Sequence, residues 1–313
     1  MDTARTVLDG YQVRKTKKQK SEFIGFVEKY SAEKGYPCRV EKSTFGARNI
    51  IVGDPENAKV VYTAHYDTCP RLPFPNFITP KNIGIYLAYQ LIIVFASLAI
   101  GFIIGFSVGI IGALLKIEET VLMDYGSIVA YLCFLGVYAL LFMGPANKHT
   151  ANDNTSGVVT LLEIMGRMPE DKRENAAFIF FDLEEMGMFG SSGYASKHKG
   201  QKKNKLLVNF DCVSDGDNIL FVLRKGAKED RALLEKYFES NEDFKVEILD
   251  KGVFYPSDQA QFSRGVGVAA LKYSKFFKTL YMDKIHTKND TVFEEKNIEY
   301  LAARATRMAS EME

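Results

Sequence analysis

Short apolar runs that end in polar residues recur along this chain. The runs at 48–52 and 59–64 are of this kind, the second (Val60, Val61, Tyr62) closing on Ala64-His65-Tyr66-Asp67. Phe178-Ile179-Phe180-Phe181, too few apolar residues for a helix, reads as a buried central strand within 176–182. Further strands are expected at 206–210, 219–223, 244–249 and 267–271. Between them the apolar period lengthens. Val158, Leu161, Leu162 and Met165 stand at helical spacing in 158–168, ended by Pro169. Helices are also expected at 187–199, 230–240 and 298–308, with a short one at 257–264. Residues 4–34 read as one polar helix that packs on the domain surface through Val7, Leu8, Tyr11, Phe23, Phe26 and Val27. Strands alternating with helices predict an α/β fold, a mixed, mostly parallel central sheet sandwiched by helices.

Two stretches break this pattern. Residues 82–115 and 125–147 contain no charged side chain, and each exceeds the roughly 20 residues needed to cross a hydrocarbon core of about 30 Å. A soluble core seldom uses two such blocks in succession, so 80–147 is expected to be an inserted transmembrane helical hairpin, with spans at about 83–115 and 121–143. The first run is longer than one span requires, which implies tilt or a start at the interface, where Tyr86, Tyr89 and Tyr138 would also fit. Lys116 is outnumbered by Glu118, Glu119 and Asp124 in the connecting turn, whereas Arg71, Lys81 and Lys148 flank the outer ends. This charge asymmetry predicts an integral protein of the cell membrane with residues 1–79 and 148–313 forming one discontinuous cytoplasmic domain.

Composition adds little beyond limits. With 313 residues, 47% hydrophobic and 25% charged, the chain is ordinary globular material, and a net charge of +1 gives no nucleic-acid signature. The first twenty residues are basic and lack an apolar core, so no signal peptide is read there. Cysteines 38, 69, 133 and 212 have no paired metal spacing and read as reduced thiols. Cys69 and Cys212 adjoin polar residues of interest, but activating a water needs no thiol nucleophile. His149 reads as an interfacial loop residue and His198 as part of a solvated, lysine-rich surface. Oligomeric state is not legible.

The chemistry collects at strand ends and helix starts: His65, Asp67, Asp153, Glu184, Glu185, Asp211 and His286. In open α/β sheets ligands bind outside the carboxyl ends of strands. Glu184 and Glu185 leave a strand end in different directions, so one can bind a metal while the other handles a proton. Two His, two Asp and a Glu form a nitrogen and oxygen set suited to zinc, manganese or cobalt. Five ligands are excessive for one tetrahedral ion and suit two ions that share a carboxylate.

Five blocks in this order resemble the co-catalytic di-zinc aminopeptidases. They are Ala64-His65-Tyr66-Asp67-Thr68, Asn152-Asp153-Asn154-Thr155-Ser156-Gly157, Leu183-Glu184-Glu185-Met186-Gly187 with Gly190-Ser191, Asn209-Phe210-Asp211, and His286-Thr287 with Asp290-Thr291. That family includes bacterial leucyl aminopeptidases, aminopeptidase Y and, more distantly, glutamate carboxypeptidase; the resemblance covers about 20–79 and 148–313. It implies the zinc-dependent exopeptidase fold and two Zn2+ ions, with Mn2+ or Co2+ as possible substitutes. It further implies that His65 and Asp211 hold one ion, Glu185 and His286 the other, and that Asp153 bridges. Asp67 would fix the tautomer of His65. Glu184 would be the general base, taking a proton from the metal-activated bridging water as it attacks a carbonyl and passing it to the leaving nitrogen.

Two departures stand out. Some relatives carry a Tyr just before the last His; here it is Ile285, and Tyr255 is a possible substitute. His65 and Asp153 are also 88 residues apart, where relatives leave about a dozen, because the hairpin lies between them. From Gly144 to Asp153 is nine residues, at most about 30 Å of chain, so the metal centre is expected near the bilayer surface. The resemblance implies an aminopeptidase releasing N-terminal residues from peptides. Alternatives are a hydrolase of N-acyl or lipidated amino-acid amides drawn from the lipid bilayer, with the hairpin shaping the substrate entrance, and a non-enzymatic peptide-binding membrane receptor.

Overall fold

Successive side chains of a strand face opposite ways, and the central strands here bury both faces. In the computed structural model, which describes residues 2–312, Phe178 and Phe180 enter one apolar core while Ala177, Ile179 and Phe181 enter another on the other face. The chain divides into two compact units, one running to Asn82 and resuming at Ala146, the other Ile83–Pro145.

The strands are β1 Cys38–Lys42, β2 Arg48–Val52, β3 Val60–His65, β4 Ala176–Phe181, β5 Leu206–Phe210, β6 Asn218–Leu223, β7 Lys245–Leu249, β8 Gly265–Ser274 and β9 Thr279–Tyr281. The helices are α1 Asp2–Gly10, α2 Lys17–Glu33, α3 Ile83–Leu114, α4 Glu119–Met143, α5 Gly157–Arg167, α6 Phe189–Lys197, α7 Lys199–Asn204, α8 Arg231–Tyr237 and α9 Glu295–Glu311. The sheet order is β1-β2-β4-β3-β5-β8-β6-β7, with β9 paired to β8. Its centre, β4-β3-β5-β8, is parallel, and antiparallel pairings occur towards the edges. This is the α/β sandwich that the strand and helix pattern predicts. The larger core joins one sheet face to Val159 and Leu162 of α5 and to Leu301 and Ala305 of α9. The other face carries Tyr194 and Ala195 of α6. Because β4 and β5 flank β3 on opposite sides, the chain reverses its direction across the sheet here, and the carboxyl end of β3 is the kind of switch point at which open α/β sheets bind ligands.

The single helix expected over 4–34 is two helices. Thr16 and Gln19 form a capping box that starts α2 afresh, a signal that apolar spacing does not register. In the break, Arg14 is fully buried and donates to the carbonyls of Tyr11 and Tyr66, while its backbone N–H meets Thr68 Oγ1 at 2.8 Å. The N-terminal segment therefore braces the chain just past His65. The strands β1 and β9, at sheet margins, were not expected, and the helix expected at 257–264 is a single 3-10 turn, Asp258–Gln261.

The second unit is a helical hairpin. Ile83–Leu114 and Thr120–Met143 are long and apolar enough to cross a membrane by length and composition, with mean hydropathies of 2.7 and 2.1. Their side chains are largely exposed, unlike those of core helices. They meet through small residues: a Cβ at Gly105 would lie 2.7 Å from the Gly126 carbonyl, and one at Gly101 2.8 Å from that of Ala130. Small-residue contacts of this kind are how helices associate where lipid offers no hydrophobic driving force.

Close backbone approach at Gly190 holds α6 to the sheet; a Cβ there would strike the Asp182 carbonyl and lie 2.6 Å from Asn49 Oδ1. Gly190→Ala is expected to cost about 1–3 kcal/mol. Gly25→Ala, on an exposed face of α2 with nothing within 4 Å, should instead gain up to about 1 kcal/mol. Denaturation of both variants in detergent measures the contrast.

Candidate active site

Three adjacent parallel strands end together. His65 is the last residue of β3, Asp211 follows β5 directly, and Glu184 and Glu185 lie in the turn after β4. Asp153 is contributed by the irregular turn Ala151–Ser156 ahead of α5, and His286 by the loop after β9. The Asp153–Asn154 peptide is cis. Leu183, Cys212 and His286 have positive φ of 55°, 57° and 61°. Such backbone is costly for side-chain-bearing residues and clusters where a site is held against local preference.

The two carboxylate oxygens of Asp153 face different imidazoles. Oδ1 lies 3.2 Å from His65 Nε2, and Oδ2 lies 2.9 Å from His286 Nε2. Asp211 Oδ1 is 3.5 Å from His65 Nε2, and Glu185 Oε2 is 3.3 Å from His286 Nε2. Ligand atoms of His65, Asp153 and Asp211 all lie within 4.8 Å of one another, as do those of Cys69, Asp153, Glu185 and His286, and those of His65, Glu184 and Glu185. Asp153 thus belongs to two clusters at once. Glu185 Oε1 and His65 Nδ1 are buried without a hydrogen-bond partner. A buried carboxylate oxygen left bare is costly unless a cation completes it, so this donor set fits metal ions.

Electrostatics point the same way. Burial disfavours the charged form of both imidazoles, yet the facing carboxylate of Asp153, and for His65 also those of Asp211 and Asp67, raises their pKa values. Burial raises Glu184 and Glu185 well above the usual carboxylate range; His65 opposes this, and neighbouring carboxylates add to it. For Asp153, burial acts upward but the two imidazoles win and hold it below its usual value.

A second layer fixes the loops. Asp67 accepts from the backbone N–H groups of Glu184 at 3.0 Å and Glu185 at 3.3 Å. Its Oδ1 faces His65 Nδ1 at 3.5 Å, a contact longer than a hydrogen bond, so its bonded partner is the Glu184–Glu185 turn. Lys20 pairs with buried Asp182, which also accepts from the Arg48 N–H at 3.0 Å. Asp290 accepts from the N–H groups of Asn152 at 2.8 Å and Asp153 at 3.0 Å, and burial pushes its carboxyl up to about 7. Asp258 is fully buried with charged neighbours that include His65, Asp67 and Asp211; burial pushes it up to about 7, His65 opposing.

Tyr255 is buried and donates its hydroxyl to the main-chain carbonyl of Asp211 at 3.1 Å. His198 stands with Glu41 at 3.0 Å and stacks on Tyr194, away from these clusters. Sequence reasoning did not find Asp258, Lys20 or Arg14, whose roles rest on burial. It passed over Cys69, whose place four residues after His65 was the only signal.

Comparison with solved structures places the fold. A glutaminyl cyclase from Porphyromonas gingivalis is similar with a TM-score of 0.60 at 14% identity, covering 99% of this chain and 97% of that one. A Zn-dependent exopeptidase from Parabacteroides distasonis gives 0.59 at 15% identity, covering 99% and 98%. A leucine aminopeptidase precursor from Bacteroides thetaiotaomicron gives 0.57 at 16% identity, covering 100% and 97%. The profile of Peptidase family M28 matches residues 137–309, leaving His65 on the far side of the inserted hairpin. With more than half of its length matched in this way, the chain belongs to Peptidase family M28.

Proposed function

We propose that this protein is a membrane-anchored, two-zinc aminopeptidase. One observation carries the reading: the two oxygens of Asp153 face two imidazoles, each within a separate cluster of metal-ligating atoms. His65 and Asp211 would hold one ion, Glu185 and His286 the other, and Asp153 both. Bound there, the ions would acidify a water and polarise a substrate carbonyl. The Parabacteroides neighbour is a Zn-dependent exopeptidase and the Bacteroides neighbour a leucine aminopeptidase precursor, which favours zinc and exopeptidase chemistry.

Glu184 is the general base. Burial raises its pKa above the usual carboxylate value, which makes it a stronger base toward water. It accepts the proton of the attacking water and returns it to the leaving nitrogen. Asp67 acts as a positioning residue, because its carboxylate holds the N–H groups of Glu184 and Glu185. Tyr255 is one hydrogen bond from the Asp211 main chain, near enough to the site to be tested as an oxyanion donor. Ile83–Pro145 is the transmembrane hairpin, with the catalytic unit on the cytoplasmic side.

Glu184→Gln is expected to lower kcat by two or more orders of magnitude on an aminoacyl amide while zinc content, read by metal analysis, is unchanged. In the same assay, an N-terminal fatty-acyl cap should abolish cleavage; preferential cleavage of the capped compound would replace the aminopeptidase reading with that of a lipid-amide hydrolase.

Asp290→Ala frees the two N–H groups that seat Asp153 and is expected to weaken zinc binding by about 10–100-fold, as measured by competition with a chelator.

A further inference from the structure

The cluster around His286 contains a donor that the nitrogen and oxygen set leaves out. The Sγ of Cys69 lies within 4.8 Å of ligand atoms of Asp153, Glu185 and His286, and the residue is fully buried. Its placement is fixed from two directions. Cys69 follows His65 by four residues at the exit from β3, and its carbonyl accepts the N–H of Asn147 at 3.0 Å, while Pro70 pairs with Ala146. Glu185 of the same cluster turns Oε2 to His286 at 3.3 Å and keeps its Oε1 buried with no hydrogen-bond partner, an acceptor left for a cation. Cys212, the other buried thiol nearby, is in none of the metal-ligating clusters and instead donates to Asp211 Oδ1 at 3.2 Å.

We propose that Cys69 is a fourth protein ligand, as thiolate, of the ion held by Asp153, Glu185 and His286. The inference rests on the two-metal reading and makes the two positions chemically unlike. One has three protein donors, His65, Asp153 and Asp211, and is open to water and substrate. The other is enclosed by sulfur, nitrogen and two carboxylates, the donor number of a structural zinc site. Binding breaks the S–H bond of Cys69, forms a metal–sulfur bond and releases the proton to solvent. A soft thiolate favours zinc and disfavours manganese. The second position therefore selects its metal, and manganese substitution is confined to the first. Buried free cysteine is also an ordinary small apolar filler, and that is the reading the test must exclude.

The full-length protein in detergent, stripped of metal, is titrated with Co2+ and followed in the near ultraviolet, where thiolate-to-cobalt charge transfer absorbs and nitrogen and oxygen ligands do not. The wild type is expected to bind two Co2+ per chain and to show this band. A chain with Cys38, Cys133 and Cys212 replaced by alanine, leaving Cys69 as the sole thiol, should keep it. Cys69→Ser should lose the band and bind one of its two ions at least about tenfold more weakly. Two bound ions without the band in the wild type would overturn the proposal and leave the two-metal reading standing, with Cys69 a core filler. A band that survives in Cys69→Ser would also overturn it. Fewer than two ions in the wild type would overturn the two-metal reading, and this inference with it. Absence of the band from the wild type decides against the proposal without any variant; its presence is assigned to Cys69 by the two variants.

Discussion

Everything at the head of this sheet answers to one constraint, the crowding of buried carboxylates. Asp153, Glu184, Glu185 and Asp211 gather around two imidazoles with Asp258 near His65, and burial opposes the negative charge of Asp153, Glu184, Glu185 and Asp258. Two imidazoles cannot offset that set, and Glu185 Oε1 and His65 Nδ1 remain without partners. On the two-metal reading, divalent cations would resolve the conflict at once, because a cluster that is destabilising as bare protein is stabilised by the charge it binds.

Such a cluster survives only if the backbone around it is over-determined. Parallel strands supply the first constraint by ending His65, Asp211 and the Glu184–Glu185 turn at one rim. The second comes from outside the site. Asp67 and Asp290 each spend a carboxylate on two backbone N–H groups, Lys20 and Arg48 hold Asp182 beside the turn, and Arg14 reaches under the end of β3. Positive φ at Leu183 is tolerated within this frame; at Cys212 the N–H donates to Asn154 Oδ1 at 3.3 Å, and at His286 the carbonyl accepts the Leu72 N–H at 2.7 Å.

The chain is interrupted between two segments of this rim. The chain departs after β3 and resumes before the Asp153 turn, and the segments that flank the insertion are joined by Pro70–Ala146 pairing and by the bond from Asn147 to the Cys69 carbonyl. The catalytic unit is thus closed on itself where the chain is interrupted, which lets a long apolar hairpin be accommodated without separating His65 from Asp153. The same closure seats Cys69 against the cluster.

The sequence by itself determined the elements whose signal is local. Short apolar runs ending in polar residues gave the central strands, helical spacing gave α5 and α9, and uncharged length marked the hairpin. The five motif blocks singled out His65, Asp153, Glu184, Glu185, Asp211 and His286 as candidates, because metal and proton chemistry restricts residue type, and the fold brings these six together. Only the tertiary structure decided what depends on burial and direction. Residue spacing cannot say that Asp153 turns one oxygen to each imidazole, that Asp67 binds the Glu184–Glu185 backbone more closely than His65, or that Arg14 and Cys69 are interior. Nor could apolar period alone separate α1 from α2, since the Thr16–Gln19 capping box acts through backbone hydrogen bonds. Residue identity fixes which donors exist, and packing fixes which of them meet.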